Sequence, residues 1–229
     1  MKVAVVVFPG SNCDRDAVHG VQLAGATAEL VWHERTDLGG ADAVILPGGF
    51  AHGDYLRSGA IARFSPVMGA VRDHAQRGGL TLGICNGFQV LLESGLLPGA
   101  MLRNRSVKFQ CEHVFVKVEH LDTPFTSVCH QGQLLRLPIA HGEGNYYAPA
   151  DTIAQLERDR RVVFRYAAAN GVADDAANPN GSIHNIAGIC SAARNVVGLM
   201  PHPERACHPL VGSSDGAVLL RSLLGRAAA

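Results

Sequence analysis

The chain has no excess of charge of either sign: 20 lysines and arginines balance 20 aspartates and glutamates over 229 residues. That balance removes the global electrostatic reason to expect a nucleic acid or an anionic membrane as partner. Long apolar runs are missing too. The opening MKVAVVVFPGSNCD holds too short an apolar run for a signal segment, and no later stretch is long enough to span a bilayer, so the expected location is the cytoplasm. The six cysteines (Cys13, Cys85, Cys111, Cys129, Cys190 and Cys207) include no C-x-x-C pair, which argues against a zinc ribbon or a disulfide framework and predicts free thiols. Eleven histidines include neither an H-E-x-x-H pattern nor a close pair at helical ligand spacing, so no metal site is expected. A Walker-type G-x-x-x-x-G-K-[ST] run is absent, as is a G-x-G-x-x-G after a strand, and ATP is therefore not expected on this chain.

What the sequence does contain is alternation. Residues 2–8 (KVAVVVF) read as a strand ending at Pro9-Gly10, 14–24 as a helix, 27–32 as a strand, and 42–49 as a strand running into a glycine turn. Residues 65–79 then read as a helix with a proline near its first turn, 80–85 as a strand and 86–94 as a helix. Such alternation predicts an α/β fold with a parallel sheet covered on both faces. Beyond residue 94 the texture changes to short strands, at 113–120, 133–141, 161–167, 186–192 and 195–200, with a closing helix at 214–224. An antiparallel or mixed extension is expected there, all within a single domain spanning 1–229. The segment 173–182 (ADDAANPNGS) is the one expected mobile loop.

One cysteine stands apart. Cys85 ends the apolar run LTLGIC and is framed by Gly83 and Gly87, the form of the G-x-S-x-G nucleophile elbow with sulfur in place of oxygen. The elbow needs a strained residue on a tight strand-to-helix turn, and positions two before and two after it must lack side chains where strand and helix nearly touch. A helix N-terminus favours thiolate, the nucleophilic form, and the N–H of Asn86 would face a developing oxyanion. The other five cysteines read as small buried hydrophobes.

A thiolate nucleophile works with a histidine that is oriented by a third group. In GLMPHPERA, His202 and Glu204 stand at i and i+2 just past a strand, and Pro201 and Pro203 impose an extended backbone that sends both side chains to one side. Cys85, His202 and Glu204 are thus the expected triad. Gly48 and Gly49, directly after a strand on the same sheet edge, are candidates for a second oxyanion donor. His141 and Glu143, between glycines in AHGEGNY, form an alternative pair, but no proline fixes their backbone. They read as site wall or interface residues, or as ordinary loop. An elbow cysteine alone does not name its substrate and fits stand-alone cysteine hydrolases, such as peptidases and γ-glutamyl hydrolases; PHPE, which supplies base and orienter together, is the feature that discriminates.

GICNGFQ together with PHPE and PGG resembles the class I glutamine amidotransferases. More specifically, FPGSNCD, GGFAHGDYLRSGA, GICNGFQVL, PIAHGEGNY and GLMPHPERA are similar to the glutaminase subunits of phosphoribosylformylglycinamidine synthases, nearly end to end. The resemblance implies a flavodoxin-like core and a Cys85–His202–Glu204 triad that hydrolyses glutamine. It further implies backbone N–H groups near Gly48, Gly49 and Asn86 as oxyanion hole, and Gln89 and His141 at the substrate. It also implies that ATP and magnesium belong to a large synthetase subunit, with a small bridging subunit as second partner. Arg57 and the GDYLR loop are interface candidates. Ala51-His52 departs from the Ser-Tyr that the resemblance leads one to expect.

Overall fold

The computed structural model describes residues 1–225. β1 (Lys2–Val7), α1 (Asp14–Leu23), β2 (Thr27–Trp32), β3 (Ala43–Leu46), α2 (Val67–Gln76), β4 (Leu80–Ile84) and α3 (Asn86–Glu93) follow the predicted alternation. β3 stops at Leu46, because Pro47 has no N–H to continue a ladder and the turn after it is made by two glycines. Next come β5 (Ala100–Leu102), β6 (Gln110–Val118), β7 (Leu134–His141), β8 (Asn145–Tyr147), α4 (Ala150–Arg158), β9 (Val162–Ala167), β10 (Ile186–Cys190), β11 (Val196–Leu199) and α5 (Gly216–Leu224). Helix α4 was not anticipated. It follows Pro149 and buries Ile153 and Leu156, three apart on one face, while its other side is polar.

One nine-stranded sheet carries the order β2-β1-β3-β4-β11-β10-β9-β6-β7, and β5 and β8 pair separately. From β2 to β11 the pairings are parallel, and from β11 to β7 they are antiparallel. The predicted extension is therefore a continuation of the same sheet. Every residue of β3, β4 and β11 is buried, as expected of strands covered on both faces. α3 packs over β3, β4 and β11, whereas α1 packs on β1 and β2 and against α5.

The parallel strands β1, β3, β4 and β11 end at a common carboxyl edge, where open α/β sheets place their ligand crevices. Glycines let the layers close there. A Cβ on Gly198 of β11 would stand 2.1 Å from the ring of Phe88 in α3, so the aromatic ring fills the space that a side chain would take. Among the described residues no helix is long and apolar enough to cross a membrane.

Two expectations need correction. The segment 173–182 divides in two: residues 173–176 are exposed, whereas Asn178, Asn180 and Ser182 are buried, with Asn180 Nδ2 donating to Tyr166 Oη (3.1 Å) and Ser182 Oγ to Gly144 O (3.1 Å). The asparagines and serine of its second half serve internal hydrogen bonds rather than solvent. All six cysteines are free, as predicted, but they are not uniformly buried, for Cys111 is exposed.

Candidate active site

The elbow follows from backbone geometry. Cys85 has φ 49° and ψ −105°, a conformation that costs a non-glycine residue on the order of 1–3 kcal/mol and must be held by its surroundings. It is held from both sides: its N–H donates to Leu199 O of β11 (2.8 Å), and its carbonyl accepts from Gln89 N–H (3.1 Å) in the first turn of α3. The flanking glycines are where strand and helix touch. A Cβ on Gly83 would lie 2.7 Å from Gly87 O, and one on Gly87 would lie 1.9 Å from Leu46 O. Neither position tolerates a side chain, which is why the spacing in the sequence is G-x-C-x-G.

His202 and Glu204 lie just past β11. His202 is extended (φ −103°, ψ 91°), and its N–H donates to Pro138 O of β7 (2.9 Å). Pro203, Glu204 and Arg205 form a 3₁₀ turn instead of the predicted extended run, since proline is well suited to the first position of such a turn. The turn still brings the two side chains together, with His202 Nδ1 2.6 Å from Glu204 Oε1. Both are buried. Burial opposes a charged imidazole, but the neighbouring Glu204 carboxylate and the Cys85 and Cys13 thiols outweigh it, holding the His202 pKa well above its usual value. His202 Nε2 and Glu204 Oε2 have no ordinary hydrogen-bond partner among the described residues.

The turn after β3 closes on the same place. Gly49 has φ 145° and its Cβ would stand 2.7 Å from Asn12 N; a Cβ on Gly48 would stand 2.6 Å from His202 Cε1. Phe50 N–H donates to Gly10 O (2.9 Å) and Cys13 N–H to Gly48 O (3.2 Å), so the segment after β1 braces the turn.

Gly49, Cys85, Gln89 and His141 line one cavity of about 250 Å³, together with Asp54, Ser58, Arg103, Lys108 and Glu143. A side-chain network shapes its floor. Asn86 Oδ1 accepts from Ala51 N–H (3.1 Å), and Asn86 Nδ2 donates to Asp54 Oδ1 (3.2 Å) and Gln89 Oε1 (2.9 Å). Gln89 Nε2 in turn donates to Glu143 O (2.6 Å), and Ser58 Oγ donates to Glu143 Oε2 (2.9 Å). Ala51 thus contributes its backbone. His52 turns its ring to His33, with centroids 5.3 Å apart.

Asp54 went unremarked in the sequence. Burial and the nearby Glu143 carboxylate push its pKa up to about 6. No motif spacing links Asp54 to Glu143; the available signal was GDYLR, read as an interface loop. Within that loop Arg57 is engaged internally, forming a two-pronged ion pair with Glu93 (2.6 and 2.7 Å), whereas Tyr55 and Leu56 are exposed. His141 is buried, with Nδ1 3.1 Å from Asn104 Oδ1. Burial and the neighbouring His202 push its pKa down to about 4, so its ring is neutral at ordinary pH.

Comparison with known proteins places this geometry. The family model described as a CobB/CobQ-like glutamine amidotransferase domain matches residues 1–215. The phosphoribosylformylglycinamidine synthase subunit PurQ of Gloeobacter violaceus is 58% identical over 230 residues, covering 100% of this chain and 99% of its own. That of Rubrobacter xylanophilus is 59% identical over 227 residues, covering 99% of each. Among solved structures, a chain of PurLQS from Thermotoga maritima shares 43% identity with a TM-score of 0.88, covering 99% of this chain and 98% of that one. The glutaminase domain of a CTPS from Trypanosoma brucei, 12% identical at a TM-score of 0.62 over 100% of this chain and 94% of that one, shares the fold. The chain belongs to the CobB/CobQ-like glutamine amidotransferase domain family and, within it, to the family of PurQ subunits of phosphoribosylformylglycinamidine synthase.

Proposed function

We propose that this chain is the glutamine-hydrolysing subunit of a phosphoribosylformylglycinamidine synthase, with Cys85 as nucleophile, His202 as acid and base, and Glu204 as the group that orients it. The observation that carries the reading is the strained Cys85 elbow on the same sheet edge as the buried His202–Glu204 pair. The Cys85 thiolate attacks the side-chain amide carbon of glutamine, forming a C–S bond. The resulting oxyanion lies against backbone N–H groups of the Gly48–Gly49 turn and of Asn86. His202, kept protonated by Glu204, gives its proton to the amide nitrogen as the C–N bond breaks, releasing ammonia. Neutral His202 then takes a proton from water, whose oxygen attacks the thioester. The C–S bond breaks and glutamate leaves.

The cavity also suits the other end of the substrate. Asp54 and Glu143 form an acidic wall for the α-ammonium, and Arg103 and Lys108 offer cations for the α-carboxylate. Gln89 joins the two regions. Locked through Asn86 and the Glu143 carbonyl, it sets the distance between Cys85 and the acidic wall. His141, neutral and fixed by Asn104, supports the wall of the cavity.

The ammonia passes to partners. A large synthetase subunit, which binds ATP and magnesium, uses it to convert formylglycinamide ribonucleotide to the amidine, and a small bridging subunit joins the two. We place the reaction in the cytoplasm.

The test is glutamine-dependent amidine formation by the intact complex, with free ammonia as the control. Cys85→Ala is expected to abolish the glutamine-dependent reaction and to keep the ammonia-dependent one. If the wild-type complex turns over with ammonia but not with glutamine, the proposed role fails.

A further inference from the structure

Cys13 lies beside the triad without a part in the steps above. It is 1% exposed, and it reaches the site because the segment after β1 folds under the Gly48–Gly49 turn. The ligating atoms of Cys13, His202 and Glu204 all lie within 4.8 Å of one another. We propose that these three side chains bind a thiophilic divalent cation of the zinc type, and that its binding switches off glutamine hydrolysis by engaging His202 and Glu204.

Four observations support the site. First, a thiolate, an imidazole and a carboxylate are the donor types zinc takes, and tetrahedral zinc holds such donors about 3–4 Å apart, so small side-chain rotations suffice. Second, Glu204 Oε2 is buried with no hydrogen-bond partner among the described residues, leaving a lone pair that a ligand would satisfy. Third, a cavity of about 170 Å³ reaches Cys13 and His202 between Asn12, Phe50, Phe109 and Arg205, which gives an ion a way in. Fourth, the charges close: a dication with one thiolate, one carboxylate and a neutral imidazole is neutral overall, which a buried site favours. Arg205, which also lines this cavity, is paired with Asp16 (Nε to Oδ2, 3.0 Å).

On binding, the Cys13 S–H bond breaks as the sulfur–metal bond forms and an N–H bond of the His202 imidazolium breaks as the nitrogen–metal bond forms, and both protons go to solvent. No electron changes hands. The imidazole gives up the lone pair or proton with which it would serve ammonia release, so occupancy and turnover exclude one another. Motif spacing could not reveal this site, because Cys13 and the PHPE segment come from opposite ends of the chain and meet only through the parallel sheet.

Cadmium is the probe for the site itself. In a Cys85→Ala, Cys111→Ser background, which removes the catalytic and the exposed thiol, one equivalent of cadmium is expected to produce the ultraviolet thiolate-to-cadmium charge-transfer band. Adding Cys13→Ser is expected to abolish it. A band of unchanged strength in that triple variant overturns the proposal. The functional arm uses the wild-type complex: zinc is expected to inhibit the glutamine-dependent reaction, spare the ammonia-dependent one, and be reversed by a chelator. Measured against its own zinc-free rate, Cys13→Ser is expected to need at least tenfold more zinc for half inhibition, and an unchanged midpoint overturns the inhibitory role. Only this second arm rests on the proposed function: absence of glutamine turnover before any zinc is added would fail that function, whereas turnover that zinc leaves untouched, with cadmium bound, would overturn the inhibitory role and leave the site intact.

Discussion

His202 Nδ1 and Glu204 Oε1 are 2.6 Å apart where neither side chain meets solvent, one residue either side of Pro203. In so dry a place an ion pair is costly unless each partner holds the other charged. The pair therefore sets both the tautomer of the imidazole and its readiness to stay protonated. Glu204→Gln keeps the shape and removes the charge. It is expected to lower glutamine-dependent kcat by about 10²–10⁴-fold, the range in which a wrongly oriented catalytic imidazole falls, with ammonia-dependent turnover of the complex unchanged. Steady-state kinetics with the two nitrogen donors decide it, and a loss smaller than threefold would remove Glu204 from the proposed triad.

Asp54 sits under opposing demands of binding and stability. Its pKa is raised to about 6, first by burial and then by Glu143. Between the usual carboxylate value and pH 6 the unfolded chain releases this proton while the folded chain keeps it, so folded stability falls as pH rises through that window. Asp54→Asn is therefore expected to stabilise the protein at pH 7 more than at pH 4, by about 1 kcal/mol after allowance for solvent screening of a partly exposed group. The same change removes the partner proposed for the substrate ammonium, and KM for glutamine is expected to rise about 10- to 100-fold. Urea unfolding at the two pH values and glutamine kinetics test the two halves separately. Equal stabilisation at both pH values would contradict the titration argument.

Much of this arrangement could be read from the sequence, and the division is physical. Strand and helix periodicity predicted β1, α1, β2, α2, β4 and α3 because each is a local pattern with a clear stop, as at Gly83–Gly87 or Pro9-Gly10. Helix α4 escaped because its apolar stripe is only Ile153 and Leu156, a signal too sparse to stand out between two strands. The Cys85 elbow and the PHPE pair are legible for the same reason as the strands, since both are short-range geometry. Asp54 with Glu143, and Cys13 with His202, are not. Their juxtaposition depends on how loops from distant strands converge at one sheet edge, which no spacing along the chain encodes. The buried half of the segment 173–182 is not distinguishable in the sequence from its exposed half, because asparagine and serine favour solvent-exposed loops and buried hydrogen-bonded networks alike.

Two glycine substitutions should have opposite signs. A Cβ on Gly87 would come within 1.9 Å of the Leu46 carbonyl, and neither β3 nor α3 can move without disturbing the elbow. Gly69, in the first turn of α2, is exposed, and a Cβ there meets nothing within 4 Å. Gly87→Ala is accordingly expected to destabilise by about 3 kcal/mol or more, and Gly69→Ala to stabilise by up to about 1 kcal/mol through helix propensity alone. Denaturant midpoints of the two variants against wild type provide the comparison. A Gly87→Ala protein of native stability would mean that strand and helix are not in contact at the elbow.

The acid limit of the fold should carry the signature of His141. Its pKa is held down near 4, chiefly by burial and then by the charge of His202, while Asn104 fixes its ring. Below about pH 6.5 the unfolded chain binds a proton at this residue and the folded chain does not, so stability declines as pH falls from 6.5 towards 4. Taken to pH 4.5, that difference amounts to about 2 kcal/mol. His141→Gln removes the titrating group but keeps a polar side chain opposite Asn104. Its stability at pH 7 is expected to be lower than wild type, because the hydrogen bond is imperfectly replaced, yet its further loss between pH 7 and pH 4.5 should be smaller by about that 2 kcal/mol. The carboxylates titrate alike in both proteins and cancel in the comparison. Urea unfolding at pH 7.0 and 4.5 measures all four free energies, and an equal decline in the two proteins would show that His141 takes up its proton in the folded state as readily as in the unfolded one.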